Sequence, residues 1–465
     1  MSTFSGLSIG LSSLYAQRRG LELTGHNVAN ANTEGYSRQR VRLQGEGGPI
    51  TPAMHSVYHG VGNGVSVVDT QRLRDSFLDG RAAVERGTDG ALRGQQAAYA
   101  RLEGILTEPS GSGLQSQLDD FWSGWDAVAI SPAEPAARSQ LLERAHTLAT
   151  GLNGATGRME VQWSSSRDQL LATVREVNAM ADDVATFNTA IRSAVLADRS
   201  ANDLMDRRDV LVQQLAEKVG ATVRPGANGT TDVVLGTVAL VSGTTAQHLS
   251  VSGAASLAGV GLPTPGDGPV TVTAGGAAVT VSGAAGGLRT ELNAVLPSFH
   301  SALGGVVSEL RDRVNAQHTA GFDQSGVRGT DFFALDPVGR LGVLVTGPGQ
   351  VAASSVQVPG GDRGGANAVA MAELSTRGDG PNQTYRRLIV DLGVRAQSAN
   401  RQVDIQSNVL GQLDAAREAE AGVSLDEEMT NMLAYQRAYE GAARFVTAVD
   451  QMLDTIINRT GLVGR

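Results

Sequence analysis

The sequence predicts a mainly α protein with an inserted β domain. Three observations carry this. Near the start, Phe4, Leu7, Leu11, Leu14, Arg18, Leu21, Gly25 and Val28 step by three and four, the spacing of a coiled-coil seam. Near the end, Met432, Tyr435, Tyr439, Ala442, Val446, Val449, Leu453 and Ile456 do the same. Between them, residues 233 to 288 hold Asp267 as their single charge and alternate by two, as in Val270 and Val272 or Val279 and Val281, the pattern of short strands.

The first helix follows from its seam, which Arg18 and Gly25 interrupt. A coiled-coil seam and an ordinary amphipathic face both fit that spacing. GHNVANANTEGYSRQ, residues 25 to 39, then joins a helix-like run to a strand-like one. Gly35 suits the left-handed position past a helix end, and Asn27, Asn30 and Asn32 can bond to its exposed carbonyls. Turn chemistry needs one Asn and one Gly, so the surplus amides are expected to reach neighbouring subunits. Tyr36 and Arg38 start the extended segment.

Further on, SPAEP at 131 to 135 reads as a helix–helix joint. Leu170, Val174, Val177, Ala181, Val184, Ile191 and Val195 form a heptad that Asn188 interrupts. Helix continues or resumes through 202 to 220, where Asp203 and Arg207 have ion-pair spacing. Residues 291 to 318 and 385 to 418 also read as helices. The Gly-rich region 321 to 382 predicts loops and a few strands. Ser424 with Glu427 makes a capping box, Asp426, Glu427 and Glu428 suit a helix start, and Gly461 ends the last run.

Composition narrows the functions. A chain of 465 residues exceeds one compact core. Its 58 glycines and 4% aromatics suit long helices and Gly-rich β structure. The net charge of −9 argues against nucleic acid and anionic lipid as partners. Lys218 is the single Lys, so Lys Schiff bases and P-loop lysines have no support elsewhere. With no Cys, disulfides, thiol nucleophiles and Cys-based zinc sites are out. The N-terminal stretch does not read as a cleaved signal peptide, and no apolar run suggests membrane insertion. His55 and His59 have HxxxH spacing but no third ligand nearby, so a surface loop is the favoured reading. His318 reads as a hydrogen-bonding group at a helix end. No Walker A, dinucleotide fingerprint or GxSxG elbow occurs. No cofactor, metal or catalytic residue is expected.

The junction stretch resembles the N-terminal signature of bacterial flagellar rod, hook and hook-associated proteins, with its ANxxTxGY core at Ala29, Asn30, Thr33, Gly35 and Tyr36. The following Ser37, Arg38 and Gln39 are similar to the hook–filament junction branch of that family. So are FWSGWDAVAISP at 121 to 132, NDLMDRRDVL at 202 to 211, VNAQHTAGFDQSGVRGTDFF at 314 to 333, GGDRGGANAVAMAEL at 360 to 374 and the stretch 424 to 458. The similarity runs nearly end to end.

The resemblance implies a structural adaptor between hook and filament, exported through the flagellar type III apparatus and placed outside the cell at the hook–filament junction. The implied partners are copies of itself in a ring, hook protein, the second junction protein and an export chaperone, FlgN. Residues 1 to 40 with 424 to 465 would form a coiled-coil assembly domain. Residues 41 to 220 with 291 to 423 would form a helical-bundle middle domain, and 221 to 290 a small β-rich outer domain. Phe4, Leu7, Leu11, Leu14, Leu21 and Val28 would line the N-terminal assembly seam. Leu425, Met432, Tyr435, Tyr439, Val446, Val449, Leu453 and Ile456 would form the C-terminal assembly and chaperone face. Two other readings stay open: another axial protein (hook, distal rod or second junction protein), and a surface adhesin.

Overall fold

The computed structural model describes residues 3–47, 62–262, 266–357 and 364–459. Helix α1 (Thr3–Ala29) pairs with α10 (Leu425–Asp454). Gly6 lies against Val449, Gly10 against Val446 and Gly20 against Tyr435, so the pair is antiparallel. A Cβ at Gly20 would fall 2.5 Å from the Tyr435 ring, and one at Gly10 2.6 Å from Val446. Large side chains of α10 thus sit on a glycine-lined face of α1, and the helix axes come close. Strands β1 (Gln39–Glu46) and β2 (Gly64–Arg72) form an antiparallel pair with a bulge at Arg42/Leu43, laid along α1.

The predicted face of α1 needs correction. The buried positions are Gly10, Ala16, Gly20, Leu23, Thr24 and Asn27. The glycines that meet α10 and Asn27 sit one residue before the predicted seam positions, about 100° round the helix. Leu7, Leu14, Leu21 and Val28 are half-buried flanks and Leu11 is exposed. The side chain of Phe4 lies outside the described residues. The C-terminal pattern fares differently: Val449 is buried, and Met432, Tyr435, Val446 and Leu453 are half-buried, while Leu425, Tyr439 and Ile456 are exposed. The physical reason is one of size: leucines on both helices would hold the axes apart, whereas glycine on one helix makes room for tyrosine and valine on the other.

The body is helical. Helix α2 (Ser76–Leu106) packs on α9 (Pro381–Ala421), and α3 (Leu114–Ile130) packs on α4 (Pro135–Leu196). SPAEP is the α3–α4 joint. The seam read at 170 to 195 is the second half of the 62-residue α4, about 93 Å long at 1.5 Å per residue. Helix α5 (Asn202–Val219) follows a short turn and ends on left-handed Gly220. Helix α6 (Gly283–Thr290) runs through a π turn (Glu291–Val295) into α7 (Leu296–Ala320), so part of the span assigned to the β domain is helical. Close approach recurs here: Gly87, Gly90 and Gly94 of α2 touch the backbones of α5 and α6 or of the turns beside them. Phe121, Trp122, Trp125, Phe332 and Phe333 form an aromatic knot between α3 and residues 332 to 333.

The β insert forms two small antiparallel sheets. One is β3 (Thr222–Pro225), β4 (Thr231–Leu235), β5 (Val238–Ser242) and β6 (Thr245–Ala246). The other is β7 (Leu249–Ser252), β8 (Thr271–Ala274) and β9 (Ala277–Val279). Their buried valines and leucines are continuous with the core of the helices. Asparagines on the helices hold the strands. Asn178 donates through Nδ2 to Leu249 O and accepts Leu249 N–H through Oδ1. Asn293 treats Val270 in the same way. Asn188, fully buried, donates to Thr231 O and Gly243 O and accepts Thr231 N–H and Arg208 Nη1. The residue read as an interruption of the heptad is therefore the clamp for β4.

The same device holds the 321–382 region, which contains β10 (Phe333–Leu335), β11 (Leu341–Val343) and α8 (Ala366–Ala372). Asn153 brackets Leu341, and Asn315 accepts from Phe332 N and Phe333 N while donating to Phe333 O. His318 is buried beside them, with Nδ1 2.6 Å from Thr330 O and Nε2 accepting Ala352 N–H. His55, His59 and Gly461 lie outside the described residues.

Three expectations follow from this packing. A Cβ at Gly90 would sit 2.3 Å from Glu217 O, so Gly90→Val should cost about 1–3 kcal/mol in urea unfolding. Gly304, exposed within α7 with open space around its Cβ, should instead gain about 0.5–1 kcal/mol as Ala. Burial holds the His318 imidazole below its ordinary value, and its two bonds require the neutral ring. Its stabilising effect is complete above about pH 6.5, the unfolded value, and is lost as pH falls through the folded value. The urea midpoint should therefore drop on acidification from about pH 7 to about pH 5, and His318→Gln should flatten that drop.

Candidate functional site, a polar neck between the terminal helices and the body

The junction stretch forms the neck between the α1–α10 pair and the body. Asn27, in the last turn of α1, uses its full bonding capacity. It donates to Gln39 O at 2.9 Å and Glu428 Oε2 at 3.0 Å. It accepts from Gln39 N and from the Tyr36 hydroxyl at 2.7 Å. Asn30 donates to His26 O and accepts from Thr33 Oγ1. Asn27 is thus spent inside the chain, contrary to the expectation that the surplus amides reach neighbours, and Asn30 makes two of its bonds there. Asn32, Ala29 and Thr33 are exposed, and Asn32 makes no side-chain hydrogen bond among the described residues. Gly35 is left-handed at φ +75°, with its Cα against Val210, and no other residue type fits that combination without strain.

After Gly35 each residue reaches a different element. Ser37 bonds Asp206 through both its backbone N–H and its hydroxyl. Arg38 pairs with Glu428 at 2.8 Å and Glu427 at 2.6 Å. Gln39 donates to Asp203 and accepts from Asn202. Two sequence expectations change as a result. Glu427 faces Arg38, and Ser424 caps α10 by accepting Glu427 N–H. Asp203 faces Gln39 and His26, and no Asp203–Arg207 pair forms among the described residues.

The body side of the neck is α5. Asp203, Asp206 and Asp209 recur every three residues there. Arg72 lies 2.8 Å from Asp206 and 2.9 Å from Asp209. Arg74 lies 2.6 Å from Asp209 and 2.8 Å from Asp79. Arg417 of α9 completes the chain of charges at Asp79. Burial draws the Asp209 carboxyl up, but Arg74, Arg208 and Arg72 hold it below the usual carboxylate range. Burial, with Asp203, Asp206 and Glu428 nearby, pushes the Tyr36 phenol upward. Such a site bonds and orients; among the described residues no group of His, Asp and Glu is placed to hold a metal ion.

Sequence reasoning placed Asn27, Tyr36, Ser37, Arg38 and Gln39 here; it held Asn202, Asp206 and Asp209 only as part of the 202 to 211 resemblance, with no role, and passed over Arg72, Arg74 and the structural part of Glu428. The available signal was the three-residue spacing of the α5 carboxylates. Asn27→Ala strands a buried backbone N–H and C=O. It should cost about 1–3 kcal/mol and speed exchange of the Gln39 amide, whereas Tyr36→Phe should cost about 0.5–1.5 kcal/mol.

Comparison with known proteins places the chain. Residues 99–333 match the family model described as the flagellar hook-associated protein FlgK helical domain. Residues 419–459 match the flagellar basal body rod FlgEFG protein C-terminal model. Flagellar hook-associated protein 1 of Bacillus subtilis (strain 168) is 30% identical over 514 aligned positions that cover 100% of both chains. The protein of that name from Escherichia coli (strain K12) is 23% identical, over 96% of this chain and 98% of that one. The flagellar hook junction protein FlgK from Burkholderia pseudomallei shares the fold, with a TM-score of 0.63 and 16% identity over 74% of this chain and 100% of that one. The chain therefore belongs to the FlgK family of flagellar hook-associated proteins, structural components of the bacterial flagellum.

Proposed function

We propose that the protein joins the hook to the filament by way of the second junction protein, as a ring of its own copies assembled through the terminal helices. The supporting observation is what helix pairing leaves uncovered. Leu11 and Tyr15 of α1 and Leu425, Met429, Leu433, Phe445 and Met452 of α10 stay exposed after α1 and α10 have paired. Apolar residues at this density on a long two-helix unit favour burial against further subunits. The terminal domain assembles, the helical body spaces the copies, and the β insert, docked on α4, takes no part in the axial contact. Asn32, exposed beside the neck, is the junction amide left for a neighbouring copy.

On this reading the chain travels unfolded through the flagellar type III export apparatus and assembles outside the cell. Met432, Tyr435, Val446, Val449 and Leu453 include the face of α10 that meets α1. A chaperone of the FlgN kind that covers this face and the folded helix pair exclude one another, so the chaperone holds the form that is about to be exported.

Deletion of the coding region is the direct test. Cells should carry bare hooks of normal length and shed flagellin into the medium. Hookless cells would move the protein into the rod or hook, and normal filaments would overturn the proposal.

A further inference from the structure

We propose that neighbouring copies meet head to tail, with the leucine side of α1 in one copy covered by the Phe445 and Met452 side of α10 in the next. This rests on the proposed assembly through the terminal helices and names the two surfaces that meet. Three consecutive residues mark the three sides of α1, because each step along a helix turns by about 100°. Gly10 lies against Val446 of α10. Ser12 accepts Val65 N–H from the β1–β2 pair, and Gly64 lies on it. Leu11, between them, is 41% exposed. Leu7, Leu14 and Leu21 flank it on that side, half-buried. Helix α1 packs on α10 and on the β1–β2 pair, and both lie on its other sides. It therefore carries two seams: glycines for its own chain, and leucines at the spacing that suits a further helix.

Helix α10 holds the complement. Phe445 and Met452, seven residues apart, are 45% and 59% exposed, with exposed Ala448 between them. Phe445 follows Glu427 by 18 residues, about five turns, so the two share a side. Glu427 pairs with Arg38, beside the start of β1. Phe445 and Met452 thus lie on the strand side of the α1–α10 pair, and the leucines of α1 on the opposite side. Two different surfaces on opposite sides of one unit join copies in a ring or a helical row, whereas a surface that meets itself closes as a dimer. Charge selects the same pairing. Helix α1 holds Arg18 and Arg19 against Glu22. With Glu427 and Glu428 taken up by Arg38, α10 still holds Asp426, Glu440, Asp450 and Asp454 against Arg437 and Arg444. Helix α1 of one copy and α10 of the next attract, while two α10 helices repel.

The chain has no Cys, so disulfides report chosen contacts without background. The variants replace the chromosomal copy in the source bacterium. Crosslinking is read on flagella detached from filament-bearing cells, where the terminal helices are assembled, by immunoblot of non-reducing gels after copper-catalysed oxidation. Leu11→Cys is joined in turn with Ala438→Cys, Phe445→Cys and Met452→Cys, which samples about four turns of α10. At least one of these doubles should give a ladder of covalent dimers, trimers and longer chains that collapses on reduction. Leu11→Cys with Arg444→Cys, turned about 100° from Phe445, should stay monomeric, as should each single variant. Tyr15→Cys in place of Leu11→Cys repeats the set from a second position on α1. No ladder in any double from either position overturns the proposal. Dimers from Leu11→Cys alone would show leucine side on leucine side, and a ladder with Arg444→Cys would bring another side of α10 to the contact; either also overturns it. The deletion phenotype is a separate readout. Bare hooks without ladders would leave the proposed function standing and refute this contact, and ladders in a protein whose deletion leaves cells hookless would do the reverse.

Discussion

A helix spends its backbone hydrogen bonds on itself, so it cannot hold a strand edge by main-chain pairing. Side chains must supply the missing peptide partner, and in this protein the carboxamide of asparagine does so repeatedly. Its oxygen takes the strand N–H and its nitrogen gives to the strand C=O, in the manner of a neighbouring strand. Asn27 does this for Gln39, Asn153 for Leu341, Asn178 for Leu249, Asn188 for Thr231, Asn293 for Val270 and Asn315 for Phe333. Buried backbone groups left without partners cost enough to unseat a short strand. The sheets among the described residues have two to four short strands each, the two-stranded ones too few to stand alone, and these clamps fix where they sit.

The second theme is distance between backbones. At α1–α10 and at α2 against α5 and α6, glycine removes the side chain that would separate two elements. Glycine weakens each helix taken alone, and the contact made across the gap offsets this. The abundance of glycine in a mostly helical chain thus has two sources, turns and close helix contacts. At the neck both themes meet: Gly35 lets the backbone reach α5, and Asn27 fixes the strand that leaves it.

Much of this was legible from residue spacing. The terminal helices, the capping Ser424, the α3–α4 joint and the β character of the insert follow from local pattern, which depends on near neighbours. On α10, Met432, Tyr435, Val446, Val449 and Leu453, buried or half-buried, stood out because their side chains are large. The matching α1 face did not, because a search for apolar seams rewards leucine, while the contact uses the smallest residues. Asn188 read as a flaw in a heptad because its partners, Thr231 and Gly243, lie far along the chain. The neck carboxylates were hidden for the same reason: Asp206 and Glu428 look like surface acids until Ser37, Arg72, Asn27 and Arg38 are brought to them. The β1–β2 pairing sets residues 39–46 against 64–72, a register that composition does not carry.

Helix α4 acts as a ruler. Asn178 follows Asn153 by 25 residues, about seven helical turns, so both point the same way and grip strands from different parts of the chain. One residue gained or lost between them would turn everything beyond it by about 100° and release every grip on one side at once. Change in length is therefore barred from the helix and diverted to the turns between strands.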